Sequence, residues 1–161
     1  MIVVLMGVSG SGKTAVGEQL AGDLGWKFYD GDDFHPQANV EKMAAGIPLN
    51  DTDRQPWLER LAALVAEVAG RGESAVLACS ALRQSYREIL GDGRHDVQFV
   101  YLKGSSELIR QRLEGRTGHF FDPSLLGSQF ATLEEPGDAL VVDVAPPVTE
   151  IAATIRRELG L

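Results

Sequence analysis

A single cysteine, Cys79, rules out an internal disulfide, and its place at the end of an apolar run points to a buried thiol rather than a nucleophile. Long hydrophobic runs are missing too. Apolar residues make up 44% of the 161-residue chain, yet no stretch approaches the ~20 residues of a membrane helix, so a soluble globular protein with no membrane partner is expected. Cations are scarce: 15 Lys and Arg stand against 23 Asp and Glu, and a net charge of −8 argues against nucleic-acid binding, which needs a basic stripe. Any anion bound here must be met by a local cluster of cations against a repelling global field. Repeats, low-complexity tracts and Pro/Gly/Ser linkers are absent, so one domain is expected over residues 1–161. The stretch Met1 to Met6 lacks a basic leader and is too short for a signal-peptide core, which gives the expectation of a cytoplasmic protein. No N-K-x-D guanine signature occurs, which counts against a GTP-dependent switch.

What is present begins at Gly7-Val8-Ser9-Gly10-Ser11-Gly12-Lys13-Thr14, which fits G-x-x-x-x-G-K-[ST] directly after the apolar run Ile2 to Met6. Its glycines allow a tight turn that points successive N–H groups inward, so phosphate oxygens are held by amides and by the positive end of the following helix. Lys13 would reach the β- and γ-phosphates of a nucleotide, and Thr14 would offer its hydroxyl to Mg²⁺. A glycine-rich turn without ligand is the plain alternative.

The remaining pattern alternates strand and helix. Val16, Leu20, Ala21 and Leu24 lie on one helical stripe that Gly25 ends, and Lys27-Phe28-Tyr29 is a second strand stopping at the acidic cluster Asp30-Gly31-Asp32-Asp33. A short helix is expected over 36–46, then a long core-facing one from Asp53, with Thr52 or Asp53 as N-cap and Pro56 in its first turn. Strands are expected at Ala75 to Cys79, Val97 to Leu102 and Ala139 to Asp143, with helices over about 83–91, from Ser105 or Ser106 to Gly115, about 123–133 and around Ile151 to Leu159. Five strands interleaved with helices give an α/β fold: a parallel sheet with helices on both faces and ligands beyond the C-terminal strand ends.

Many phosphate-loop proteins hold Mg²⁺ with an acid at the end of a second apolar strand, but the strand at 75–79 ends in Cys79-Ser80. Asp30 and Asp32 are the substitutes: Asp30 is assigned to the metal and Asp32 to a substrate hydroxyl whose proton it accepts, with the reverse assignment and a merely solvated acidic turn as alternatives. Arg112 and Arg116, four apart, share a helix face and form either a nucleotide clamp or ordinary surface charge. The segment from Gly115 to Phe121 suggests a mobile lid that excludes water, although Phe120 and Phe121 suit a core equally. His35, Lys42, Arg54 and Arg83 complete the cationic set near the strand ends, and a planar guanidinium there suits a carboxylate substrate; a surface ion pair is the simpler reading of each alone. His95 and His119 have no metal-ligand spacing, so no zinc site is expected.

Taken together, Gly7 to Thr14, Asp30 to Pro36, Asn39 to Met43, Pro48 to Leu58, Cys79 to Arg83, Tyr101 to Gly104 and Gly118 to Phe121 resemble the bacterial-type gluconokinases almost end to end. The resemblance implies a three-layer P-loop kinase fold with strand order 2-3-1-4-5 and a small lid at about 115–133. It also implies a cytoplasmic homodimer that uses ATP and Mg²⁺ to phosphorylate D-gluconate on its 6-hydroxyl. By similarity to shikimate kinases, Asp30 falls on the metal side, Asp32 on the substrate side and Arg54 on the substrate carboxylate; by similarity to adenylate kinases, Arg112 and Arg116 grip the nucleotide. The turn Val144-Ala145-Pro146-Pro147 looks like an adenine-binding loop, and His119 joins His35, Lys42, Arg54 and Arg83 as a substrate residue. Catalysis would rest on Lys13, Asp32 and Arg116. The segment Glu134 to Asp138 is shorter than the family pattern. Another small hydroxylated acid, a nucleoside, or a partner-binding ATP switch remain the competing readings of the same loop.

Overall fold

Strict alternation along Ile2–Met6 (β1) sends Ile2, Val4 and Met6 to one apolar layer and Val3 and Leu5 to the other, so this strand can only be central. The computed structural model describes residues 1–91, 93–115 and 123–161, and within them β1 lies at the middle of a five-stranded parallel sheet of order β2-β3-β1-β4-β5. The other strands are Lys27–Asp30 (β2), Ala75–Ala78 (β3), Val97–Lys103 (β4) and Leu140–Asp143 (β5). The helices are Lys13–Leu24 (α1), Gln37–Ala44 (α2), Asp51–Gly70 (α3), Gln84–Leu90 (α4), Ser106–Glu114 (α5), Leu126–Thr132 (α6) and Val148–Leu159 (α7). The expected fold class and strand order are therefore those observed.

One face of the sheet is covered by α1 and α7, through Val16, Leu20, Ile151 and Ile155, and the other by α3 and α4, through Trp57, Leu61, Val65 and Leu90. With right-handed crossovers, the chain leaves β1 over the first face and β3 over the second. These neighbouring strands thus open a crevice at their C-terminal ends, the place where such sheets bind ligands. A third apolar cluster of Val8, Leu82, Ile109, Leu113 and Leu126 lies above that edge and seats α5 and α6 on the glycine-rich loop.

The start of α3 differs from expectation. Asn50, not Thr52 or Asp53, is the N-cap: its side chain accepts from the Asp53 amide at 2.8 Å, and the Asp53 carboxylate accepts from the Asn50 amide at 3.0 Å. Sequence reasoning placed the cap too late because Thr52 and Asp53 are also good caps; the reciprocal pair selects Asn50. The helix then begins at Asp51, which puts Pro56 in the second turn, in the place of an amide that would donate to Thr52. The roles expected of Arg116 and His119, and the 116–122 part of the lid, lie outside the described residues.

Candidate active site

The glycine-rich loop turns through Gly10 at φ 83° and Gly12 at φ 92°, left-handed values that a side chain would strain, and delivers Lys13 and Thr14 into the first turn of α1. Beside it opens a cleft of about 370 Å³, which Ser9, Lys13, Thr14, Asp30, Asp32 and Arg112 help to line. The Lys13 ammonium donates to the carbonyls of Gly7 and Val8 at 3.0 and 2.9 Å, so it lies folded against its own loop. The Ser9 amide donates to Gln129 Oε1 at 2.7 Å, a contact that brings α6 onto the loop. Arg112 donates to the Val144 carbonyl at 2.7 Å, which joins the expected clamp residue to the turn that carries the half-buried Pro146.

Thr14 and Asp30 meet directly: the threonine hydroxyl donates to Asp30 Oδ2 at 3.1 Å, while Asp30 Oδ1 accepts from the Asp32 amide at 2.9 Å. Asp30 ends β2 and caps a short 3-10 turn, Gly31–Phe34, whose first turn bears Asp32. Gly31 is required there, because a Cβ would lie 2.5 Å from the Ala78 carbonyl of β3. A hydroxyl and a carboxylate converging in the cleft form an all-oxygen donor pair of the kind a hard divalent cation takes. Cys79, at the adjacent strand end, is no competitor: burial pushes its thiol up to about 12.

A narrower pocket of about 60 Å³ adjoins this cleft, and Ser9, Lys13 and Asp32 line both. His35, Arg54 and Trp57 also line it, and Gln129 of α6 closes it from above. His35 stacks on Trp57 with ring centroids 4.2 Å apart and planes 15° apart, and Trp57 donates from Nε1 to the Gly31 carbonyl at 2.7 Å. Burial foremost, then the Arg54 charge, lower the His35 pKa to about 4 against an opposing pull from Asp30, so the ring is neutral at pH 7. Arg54 donates to the Tyr86 hydroxyl at 3.0 Å, has its guanidinium carbon 5.4 Å from the centre of that ring, and lies 3.8 Å from Asp51, to which Tyr86 in turn donates. Only 13% of the Arg54 side chain is exposed, so its charge is directed rather than dispersed.

Two residues expected on the substrate lie outside this pocket. Lys42 donates to both oxygens of Asp53, at 3.0 and 2.9 Å, and Arg83 lies 3.5 Å from Asp51. Both partners belong to the first turn of α3, where carboxylates complement the helix dipole and draw nearby cations.

A family model described as an AAA domain matches residues 2–136. The thermoresistant gluconokinase of Escherichia coli is 46% identical over 157 residues, covering 95% of this chain and 90% of that protein. The chain belongs to the gluconokinase family. A solved gluconokinase of Sinorhizobium meliloti, 44% identical, superposes with a TM-score of 0.80 over 98% of this chain and 94% of its own. An unliganded sugar kinase from a Janibacter species, 41% identical, reaches 0.91 over 99% and 94%.

Within this gluconokinase-family site, sequence reasoning passed over Tyr86 and Gln129. Nothing in the sequence marks Tyr86, whose hydroxyl matters only because α4 packs against the start of α3. Gln129 did leave a signal: it interrupts the helical stripe Leu126, Gln129, Leu133, a polar residue where an apolar one would otherwise pack.

Proposed function

We propose that the protein transfers the γ-phosphoryl group of ATP to the 6-hydroxyl of D-gluconate, giving 6-phospho-D-gluconate and ADP. The observation that carries this reading is the meeting of a phosphate-loop cleft and a pocket bearing a carboxylate and a directed arginine at three shared residues, Ser9, Lys13 and Asp32. Donor and acceptor would face each other there, which is what in-line transfer needs. The gluconokinase names of its relatives supply the acceptor.

The amides of Gly10, Gly12, Lys13 and Thr14 hold the phosphates, and Lys13 leaves the carbonyls of Gly7 and Val8 to meet charge on the transferred group. Arg112, with the turn at Pro146, holds the nucleotide, and Arg116 is assigned a share in charge stabilisation. Thr14 and Asp30 would hold Mg²⁺, which when bound neutralises phosphate charge. Arg54, braced by Tyr86 and Asp51, takes the gluconate carboxylate, while His35 offers its ring edge to the hydroxyl chain. Lys42 and Arg83 support this side from their ion pairs, and His119 belongs to the same substrate set. In the chemical step the 6-oxygen forms a bond to γ-phosphorus and its proton passes to Asp32. The bond from γ-phosphorus to the bridging oxygen breaks, and ADP leaves with that electron pair. Our reading includes a cytoplasmic homodimer.

A coupled assay of ADP release tests the acceptor. Turnover should require D-gluconate; equal rates with shikimate, another sugar acid or water would remove gluconate from the reading while leaving the phosphate loop in place.

A further inference from the structure

Asn39 is a buried polar residue, 3% exposed, on the helix α2, where it shares the inner face with Met43, and it binds neither phosphate nor sugar acid in the reading above. Its amide nitrogen donates to the Asp53 main-chain carbonyl at 2.8 Å and lies 3.2 Å from His35 Nδ1. The carbonyl decides which way the amide faces. A main-chain oxygen only accepts, so the NH₂ group must point at it, and the second hydrogen of that same group is then directed at His35. A ring nitrogen that receives a hydrogen bond carries no proton of its own, which leaves the proton of the neutral imidazole on Nε2.

That second nitrogen faces the acceptor pocket, 3.9 Å from Asp32 Oδ1, and the stack on Trp57 fixes the plane in which it points. We infer that Asn39 is a positioning residue that locks His35 as the Nε2–H tautomer, so that the ring donates into the acceptor pocket and Asp32 is left as the proton acceptor beside it. The alternative tautomer would set a bare nitrogen lone pair next to the carboxylate. Two acceptors would then compete for one substrate hydroxyl hydrogen, and the hydroxyl would turn as readily toward the ring as toward Asp32.

The chain of dependence is short and each link is local. The capping box at Asn50 and Asp53 fixes the start of α3; the Asp53 carbonyl fixes Asn39; Asn39 fixes the ring; the ring orders the hydroxyls around Asp32. The kinetic consequence rests on the gluconate kinase reading, but the tautomer does not.

Long-range ¹H–¹⁵N spectra of histidine-labelled protein at pH 8 test the tautomer directly, with the His35 signals identified by their loss in His35→Gln. The expected result is a pyridine-type Nδ1 and a protonated Nε2; the reverse pattern overturns the inference whatever the enzyme's substrate. Asn39→Asp, nearly the same shape, should invert the pattern because a carboxylate accepts from Nδ1–H. It should also lower kcat/KM for gluconate by about tenfold to a hundredfold, the range of one hydrogen bond to a charged or reacting group, with the KM for ATP unchanged. In the His35→Gln background the same substitution should cost much less, since no tautomer remains to be set. An equal cost in both backgrounds would show that Asn39 acts other than through His35 and would overturn the proposal. If no sugar acid is turned over but the spectrum is as expected, the substrate reading fails and the tautomer lock stands.

Discussion

His35 is held neutral mainly by burial and then by the Arg54 guanidinium, with its pKa lowered from 6.5 to about 4. In the window between these values the unfolded chain binds a proton that the native ring refuses, so unfolding takes up a proton there. The contribution to stability is fully present above about pH 6.5 and is lost as the pH falls toward 4. By pH 5 the loss should be roughly 2 kcal/mol. Urea unfolding at pH 7 and pH 5 checks this: wild type should lose about that much more than His35→Gln, and equal losses would mean that the ring is not desolvated. Asp32 makes a different prediction, because its carboxylate lies on the 3-10 turn between both cavities and is not a core group. Asp32→Asn should lower kcat by about 10²- to 10⁴-fold while the KM for ATP stays within a fewfold in steady-state assays. A variant with near-normal kcat would take the proton-acceptor role away from this residue.

At the scale of elements, the connection after β3 is irregular yet firmly tied. Ala81 adopts φ 45°, in the left-handed region, and its carbonyl accepts from the buried Arg87 at 2.8 Å. Arg87 also donates to the Glu134 carbonyl at 3.0 Å, and the Glu134 amide and side chain bond back to Leu82 and Gln84. One arginine thus joins α4 to the short segment that leads from α6 to β5. Arg87→Met keeps the volume but strips a hydrogen bond from the buried Ala81 carbonyl and another from the part-buried Glu134 carbonyl, and should destabilise the fold by about 3 kcal/mol in urea titrations; a loss under about 1 kcal/mol would mean that water replaces the guanidinium. None of this was legible in the sequence, where Arg87 is one more charge on a helix and Glu134 to Glu135 a loop. The strands and helices were legible, because apolar runs of period two and stripes of period 3.6 need no partner to be recognised. The phosphate loop and the pair Asp30 and Asp32 were legible for a related reason, since their spacing within the chain is their geometry. Tyr86 with Arg54, Gln129 with Ser9 and Lys42 with Asp53 were not. Each joins elements that are distant in the chain or chooses among several carboxylates, and packing alone makes that choice.

In the molecule as a whole, both half-sites hang from one edge of the sheet but depend on different elements. In the proposed reaction the loop between β1 and α1 would carry the donor side, while α2, α3 and the turn after β2 would carry the acceptor side. The net charge of −8 would work against two anionic substrates, so on the proposed reading each half needs its own cation, Lys13 in one and Arg54 in the other. Binding to the native state alone stabilises by about 2.7 kcal/mol at a ligand concentration of 100 Kd, which makes thermal unfolding a readout for each half. ATP with Mg²⁺ and gluconate should each raise the Tm of the wild type. Lys13→Ala should lose most of the nucleotide shift and keep that of gluconate, and Arg54→Ala should do the reverse. The sheet and its two apolar layers bear the stability and neither side chain belongs to them, so the unliganded variants should unfold within a few degrees of wild type. If either substitution erased both shifts, the halves would not be separable, and the two cavities would have to be treated as one site assembled only when both substrates are present.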